Sequence, residues 1–289
     1  MGVYAVTGSA SGMGRAVVEK LRVGGHRVIG VDIHDAEVVA DLSTPDGRQA
    51  AAAAVSAATD RRLDGIVLAA GVGPVPGAGS ATRILEVNFF GVVELAETWR
   101  PALAAAGNAK VVVVSSNSST TMPLVPKRAV RALLKRDAAA AQQALRVFGS
   151  TAPAMAYGAS KIAVARWVRR NAVSPAWAGA GIRLNAIAPG AVMTPLLEAQ
   201  LAAPRQAKAV RSFPVPLDEF GDPAQLADWM VFMLSDAADF LCGSVIFVDG
   251  GSDAYLRTDD WPDRVPAPQL LRYAWRLAMF GRRRSRRPH

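Results

Sequence analysis

Along the chain, short runs of β-branched and apolar residues alternate with longer Ala-rich stretches whose apolar positions recur at helical spacing. Val3–Thr7, Arg27–Asp32, Val38–Leu42, Gly65–Ala70, Lys110–Ser115, Ile182–Ile187 and Ser244–Val248 read as strands. Met13–Val23, Leu85–Ala105, Ala159–Ala172 and Pro223–Leu234 read as helices between them. Strands alternating with helices build βαβ units, so the pattern predicts an α/β fold with a doubly wound parallel sheet, in a single domain over residues 1–255. Two pieces break the alternation. Residues 123–150 form a basic Ala/Leu-rich insertion of one helix or two, with Val130, Leu134, Ala138, Ala141 and Leu145 at positions that share a helical face. After Leu256, Pro262, Pro266 and Pro268 mark an exit into a C-terminal extension, residues 256–289.

Composition fits this picture. With 289 residues, 51% hydrophobic and 20% charged, the chain has ample material for a core, which excludes disorder and a disulfide scaffold. The single cysteine, Cys242, has no partner for an internal bridge, and no basic stretch with a cleavage site precedes Val3, so a cytoplasmic protein is expected. Glycines and prolines interrupt the longest uncharged apolar run, residues 65–82, and a membrane-spanning helix is not expected. The net charge of +9 is unevenly placed: residues 1–263 hold 25 Lys and Arg against 24 Asp and Glu, while 264–289 hold eight Arg and no acid. Nucleic acid is therefore not an expected partner of the main domain. His26, His34 and His289 have no Cys or carboxylate at ligand spacing, so no metal site is expected either.

The first strand runs into Thr7-Gly8-Ser9-Ala10-Ser11-Gly12-Met13-Gly14, and a helical pattern follows at once. Glycines there permit a tight turn and a close backbone approach to a pyrophosphate, which the amide N–H groups of a helix N-terminus attract. Gly8, Ser9, Ser11, Gly12, Met13 and Gly14 are thus candidate cofactor contacts. Asp32 closes the second strand; its carboxylate can accept from both adenosine ribose hydroxyls and would repel a 2′-phosphate, favouring NAD over NADP. The plainer alternative for Asp32 is a solvated acid at a strand end. Further on, Tyr157 and Lys161 stand four apart at the opening of a helix, on one face, where an ammonium would favour the phenolate.

Thr-Gly-(x)3-Gly-x-Gly, then Asn88, Ser116 and Tyr157-x-x-x-Lys161 in this order, resembles the short-chain dehydrogenase/reductase family, whose domain is a Rossmann fold. Ala188-Pro189-Gly190 with Thr194, and Val248-Asp249-Gly250-Gly251, match its later motifs, so the resemblance covers residues 1–255. Val31-Asp32-Ile33, Ala40-Asp41-Leu42-Ser43-Thr44 and the 123–150 insertion are most similar to its bacterial 3α-hydroxysteroid dehydrogenase/carbonyl reductase branch. The resemblance implies an NAD-dependent enzyme that interconverts a secondary alcohol and a ketone, with an apolar, hydroxysteroid-like substrate. It implies that Tyr157 exchanges the proton at the substrate oxygen, that Lys161 holds the nicotinamide ribose, and that Asn88 links Lys161 through water to solvent. Ser116 would donate a hydrogen bond to the substrate oxygen. Ser115, Ser118 and Ser119 are rivals for that role, and strand alternation puts Ser115 on the other side. For Asn88 the alternative is a side-chain hydrogen bond that bends its helix. Asp41, Leu42, Gly71, Pro189, Val192 and Thr194 join the cofactor contacts by the same resemblance. One departure stands out: where the family commonly has Asn-Asn-Ala-Gly after the fourth strand, this chain reads Leu68-Ala69-Ala70-Gly71, which puts local sheet support in doubt.

The segment Ala191–Pro216 offers Met193, Leu196, Leu197, Leu201 and Phe213 as a cover for an apolar ligand. A carbonyl reductase of broad specificity is the runner-up, and a non-catalytic NAD-sensing scaffold a third reading. Family members associate as homo-oligomers through helices that the insertion stands to obstruct. In the extension, Gln269–Phe280 places Arg272 and Arg276 about 40° apart on a helical wheel, with apolar residues filling most of the remaining arc. Such a helix suits peripheral contact with an anionic membrane through residues 264–289, or packing on a partner subunit or across the mouth of the active site.

Overall fold

The computed structural model describes residues 1–260 and 267–284, in two compact units, Met1–Tyr255 and Leu256–His289. In the first, seven strands form one sheet: β1 (Val3–Thr7), β2 (Arg27–Asp32), β3 (Val38–Val39), β4 (Gly65–Leu68), β5 (Lys110–Val114), β6 (Arg183–Pro189) and β7 (Val245–Val248). Every pairing is parallel, in the order β3-β2-β1-β4-β5-β6-β7. The helices of this unit are α1 (Gly12–Val23), α2 (Pro45–Ala58), α3 (Ser80–Leu85), α4 (Val92–Ala106), α5 (Ser118–Thr121), α6 (Lys127–Leu134), α7 (Ala138–Arg146), α8 (Ala152–Asn171), α9 (Pro195–Ala202), α10 (Pro204–Arg211), α11 (Pro223–Leu234) and α12 (Ser252–Leu256). A π-helical turn, Glu86–Gly91, joins α3 to α4.

Strand alternation sorts the side chains into two cores. Val111 and Val113 of β5 join α2, α4 and α8 on one face of the sheet, while Val112 and Val114 join α1 and α11 on the other. Both faces of the central strands are covered, which is why those strands read as continuous valine and isoleucine runs rather than as alternating ones. Trp99 is fully buried in the first core and its indole N–H donates to Ala52 C=O at 3.2 Å; truncation to Ala there costs about 3–5 kcal/mol.

The predicted architecture is the observed one, with shifts at particular ends. β3 stops at Val39, so Asp41 and Leu42 lie in the loop before α2. The helix carrying Tyr157 starts at Ala152, so Tyr157 sits inside it rather than at its opening. The insertion is two helices, not one. Arg136 breaks it with φ 63°, and the Asp137 carboxylate caps α7 by accepting from Ala140 N at 2.9 Å. Val130, Ala141 and Leu145 are buried, but Leu134 and Ala138 are only partly so, since the break destroys the shared face. Both inserted helices join the core that holds α4 and α8.

The sheet order reverses between β1 and β4, and the loops leaving the carboxyl ends of β1, β2, β4, β5 and β6 all open on that edge. A crevice at such a reversal is where doubly wound sheets bind ligands. The second unit contains α13 (Leu270–Arg284) after a 3-10 turn at Ala267–Gln269. Among the described residues no helix is long and apolar enough to cross a membrane.

Candidate active site

A cavity of 770 Å³ opens along the carboxyl edge of the sheet. At its centre lies the turn from β1 into α1, lined by Gly8, Ser11, Gly12, Met13 and Gly14. The glycines answer first to the protein's own packing. A Cβ on Gly14 would stand 2.0 Å from Gly8 O, and one on Gly8, whose φ is +72°, 2.8 Å from Ala70 N. Gly12 has φ +52°, and a Cβ on it would meet Thr194 Cγ2 at 3.1 Å. The helix they introduce has no side-chain cap on Ser11 and no acid in its first turn, so its leading N–H groups remain available to an anion. Ser9 does not line the cavity. It is buried with its hydroxyl turned towards Gly30, where an added Cβ would stand 2.6 Å from Ser9 Oγ, and that oxygen has no partner.

At one end of the cavity Asp32 ties the turn to β2, its carboxylate accepting from Ala10 N at 2.9 Å and Ile33 N at 2.7 Å. Asp41 and Leu42 line the same end, and so do His34 and Arg83. The hydroxyl and the backbone N–H of Ser43 hold the Asp41 carboxyl below the ordinary range, and the Arg83 charge adds to this. Neither His34 nor Arg83 belongs to a motif, and only the cavity brings them in.

Gly71 lies after β4, where the family's two amides are missing. The Thr7 hydroxyl accepts from Ala70 N at 3.1 Å, and Asn88 accepts from Val72 N at 2.8 Å while donating to Val72 O at 2.9 Å. Asn88 is fully buried and does not line the cavity. Its side chain staples the strand end instead of bending its own helix, and it stands close to Lys161: a Cβ on Gly71 would meet Asn88 Oδ1 at 3.4 Å and Lys161 Nζ at 3.8 Å.

On the other side of β4, Ser116, Tyr157 and Lys161 converge. Asn117 N donates to Pro189 O at 2.9 Å, and Thr120 donates its hydroxyl to Asp253, which fixes the loop that carries Ser116. Ser115 also lines the cavity, but its hydroxyl is committed to Lys161 O at 3.1 Å, anchoring α8. Ser116 Oγ accepts from Ser118 N at 3.1 Å and lies within hydrogen-bonding reach of the Tyr157 phenol. Lys161 Nζ lies 5.8 Å from the Tyr157 ring centroid and donates to Val114 O at 2.9 Å. Burial pushes the Tyr157 phenol above its ordinary value, and the Ser116 hydrogen bond pulls the other way. Burial also brings the Lys161 amine down to about 8. The Val114 carbonyl takes one of the three protons of the ammonium, and burial disfavours its charge.

Residues 2–127 match the family model described as short chain dehydrogenase, and residues 124–253 the one described as enoyl-(acyl carrier protein) reductase. The chain is 38% identical over 257 residues to the 3-alpha-hydroxysteroid dehydrogenase/carbonyl reductase of Comamonas testosteroni, covering 89% of this chain and 98% of that protein. It belongs to the short-chain dehydrogenase/reductase family. A crystal structure of the 3-alpha-hydroxysteroid dehydrogenase from Pseudomonas sp. B-0831, complexed with NADH, matches it with TM-score 0.83 at 44% identity, over 89% of this chain and 99% of that one. Cis-4-hydroxycyclohexanecarboxylate dehydrogenase of Sinomonas cyclohexanicum is 30% identical over 87% of this chain and 96% of its own length. This short-chain dehydrogenase/reductase is accordingly a nicotinamide-dependent oxidoreductase of alcohols and ketones. The glycine turn, the free helix N-terminus and the size of the cavity fit a dinucleotide.

Pro189, Val192 and Thr194 line the cavity beyond β6, and the Thr194 hydroxyl caps α9 by accepting from Leu197 N. Of the expected cover, Leu196, Leu197 and Phe213 reach the cavity, whereas Met193 and Leu201 do not. Val210 of α10 and Met122 and Pro123 at the start of the insertion line it as well. Ser118, one of the rival serines, is also a lining residue, and its buried hydroxyl has no partner.

Proposed function

We propose that this dehydrogenase interconverts an apolar, hydroxysteroid-like secondary alcohol and its ketone, with NAD preferred over NADP. The observation that carries the reading is the placement of the Ser116 hydroxyl and the Tyr157 phenol together beside walls formed by Met122, Pro123, Leu196, Leu197, Val210 and Phe213. Two hydroxyl groups at one point in an apolar cleft are what a single carbonyl oxygen needs. The bound nicotinamide would supply the hydride acceptor in oxidation and the donor in reduction. Tyr157 takes the hydroxyl proton as the alcohol becomes a ketone and returns it in the reverse direction. Ser116 donates to the same oxygen as negative charge grows on it. Lys161 would hold the nicotinamide ribose, and Asn88 supports the loop after β4 beside Lys161. Both named relatives that act on hydroxysteroids share this chain's domain nearly end to end, which supports the substrate class.

Tyr157→Phe is expected to abolish turnover on a panel of steroid, aliphatic and aromatic alcohols while NAD still binds. Wild-type kcat in that variant would overturn the assignment. A flat profile across the panel would instead favour a carbonyl reductase of broad specificity. The carboxylate of Asp32, which lines the cavity at the end of β2 where a bound ribose would lie, supports the cofactor preference, and Asp32→Ala should narrow the ratio of kcat/KM for NAD and NADP by about tenfold, the scale of one screened charge. Equal use of NADP by the native enzyme would show that Arg83 outweighs Asp32 at that end. In the same reading the enzyme is a cytoplasmic homo-oligomer that makes peripheral contact with anionic membrane through residues 264–289. Association of copies is supported by Trp229 and Phe232 of α11, which stay half-exposed in a groove shared with Val248 of the edge strand β7.

A further inference from the structure

We infer that α13 lies in the plane of an anionic lipid surface and is the element that docks this enzyme there; the inference rests on the membrane contact proposed above and names its geometry. The two family models end by residue 253, so the helix stands outside the part of the chain that they match. It has 15 residues, about 22 Å at 1.5 Å per residue, well short of the roughly 30 Å of a hydrocarbon core. It therefore has to lie along a surface or against another protein.

Among the described residues of its first half, the apolar side chains are exposed. Leu271 is 87% exposed and Trp275, one turn later, 62% exposed. Leu270, Tyr273 and Ala274, at positions i, i+3 and i+4, are exposed too. Arg272 and Arg276 follow each other one turn apart, about 100° further round the helix. A displayed apolar face of this breadth is costly in water and calls for a cover.

Charge decides which cover. Residues 264–289 carry eight Arg and no Asp or Glu, and five of those arginines fall within 282–287. A bilayer containing anionic lipid satisfies both properties at once. Acyl chains take Leu271, the headgroup boundary suits Tyr273 and Trp275, and guanidinium forks bind phosphates bidentately. Nucleic acid would take the arginines and leave Leu271 and Trp275 in water. A second copy of this extension brings the same positive charge and would be repelled.

The test is co-sedimentation of the full-length enzyme with vesicles of phosphatidylcholine, with and without phosphatidylglycerol, at low and high salt. Binding is expected only to the vesicles with phosphatidylglycerol, and to weaken as salt rises. In the full chain, Leu271→Ser with Trp275→Ser should abolish it, and Arg272→Gln with Arg276→Gln should weaken it by about fivefold per arginine. All four residues are exposed, so turnover of a water-soluble alcohol should be unchanged in both variants, and that measurement reports on the catalytic reading separately. Three results would each overturn the inference. The enzyme could fail to distinguish the two vesicle types at low salt. The serine variant could bind as the wild type does, which is the signature of a polyanion site. Or the serine variant could change the oligomer size in sedimentation velocity without changing vesicle binding, which would make the face a subunit contact.

Discussion

Lys161 is held in the fold with its ammonium on the Val114 carbonyl and no carboxylate to balance it among its described hydrogen bonds and ion pairs. Its amine titrates near about 10.4 when unfolded and at about 8 when folded, so between those values the unfolded chain binds the extra proton. Stability is then lowest below pH 8 and recovers as pH rises towards the unfolded value. Lys161→Met should raise the unfolding free energy of the cofactor-free enzyme at neutral pH, by on the order of 3 kcal/mol before the lost hydrogen bond is counted, while abolishing turnover. Urea unfolding across the pH range measures this, and a variant less stable than the wild type at pH 7 would contradict it. Tyr157 supplies the companion test. Alcohol oxidation needs its ionised form, so kcat/KM for oxidation should climb on the alkaline side. Ser116→Ala removes the hydrogen bond that lowers the phenol, so the climb should move to higher pH and the rate should fall by about 10²–10³-fold. A Ser116→Ala profile superimposed on the native one would remove Ser116 from the proton path. Ser116, Tyr157 and Lys161 were legible as residues because their spacing and order carry them. Ser9 and Asn88 were legible as positions but not as directions: Ser9 follows a glycine whose φ turns the next side chain inward, and both hydrogen-bonding groups of Asn88 are taken by Val72.

At the scale of elements, α2 is joined to the cofactor wall by one buried arginine. Arg48 donates to Leu42 O at 3.1 Å and pairs with Glu86 at 3.0 Å and Glu94 at 2.6 Å, so it links the loop before α2 to the π-helical turn and to α4. Arg48→Met strands two carboxylates. A fully buried pair broken in this way costs about 3–5 kcal/mol, and the partial exposure of both glutamates reduces that to about 2–3 kcal/mol. The expected result is a lower Tm and a weaker Kd for NAD, with kcat at saturating cofactor nearly unchanged, because Leu42 lines the cavity beside Asp41, on the loop that follows β3, and Tyr157 lies on α8. A kcat loss as large as the Kd change would place the effect elsewhere. The strands were readable because runs such as Val111–Val114 are buried on both faces, and burial of that kind leaves no polar positions to confuse the pattern. Helix starts were less so, although the signals exist. Thr44 caps α2 by accepting from Gly47 N at 3.0 Å just before Pro45, Pro153 stands in the first turn of α8, and Asp137 both ends and restarts the insertion. The π-helical turn has no such signal, since no residue type demands it. α9 and α10 are short and face the cavity with apolar residues, so neither yields a helical stripe distinct from cover.

Over the whole molecule, charge sets the catalytic domain apart from the extension proposed to meet lipid. Residues 1–263 are almost balanced, whereas the last 26 hold eight uncompensated arginines. A balanced domain exerts little long-range field, and charges beyond about 10 Å are screened at 0.1 M salt, so catalysis on a substrate dissolved in water should hardly respond to ionic strength. For a water-soluble alcohol, kcat/KM should change by less than about twofold from low to high salt. An apolar alcohol delivered in vesicles should behave otherwise. There the enzyme first has to reach the lipid, so its apparent KM should be lower on vesicles containing phosphatidylglycerol than on phosphatidylcholine alone, and added salt should erase the difference. The Leu271→Ser and Trp275→Ser variant should show no such difference at any salt concentration, while matching the native enzyme on the soluble substrate. If salt instead altered kcat/KM equally for the soluble and the vesicle-borne substrate, the arginines would be acting on the catalytic domain itself, and the division of labour between balanced domain and basic extension would be wrong.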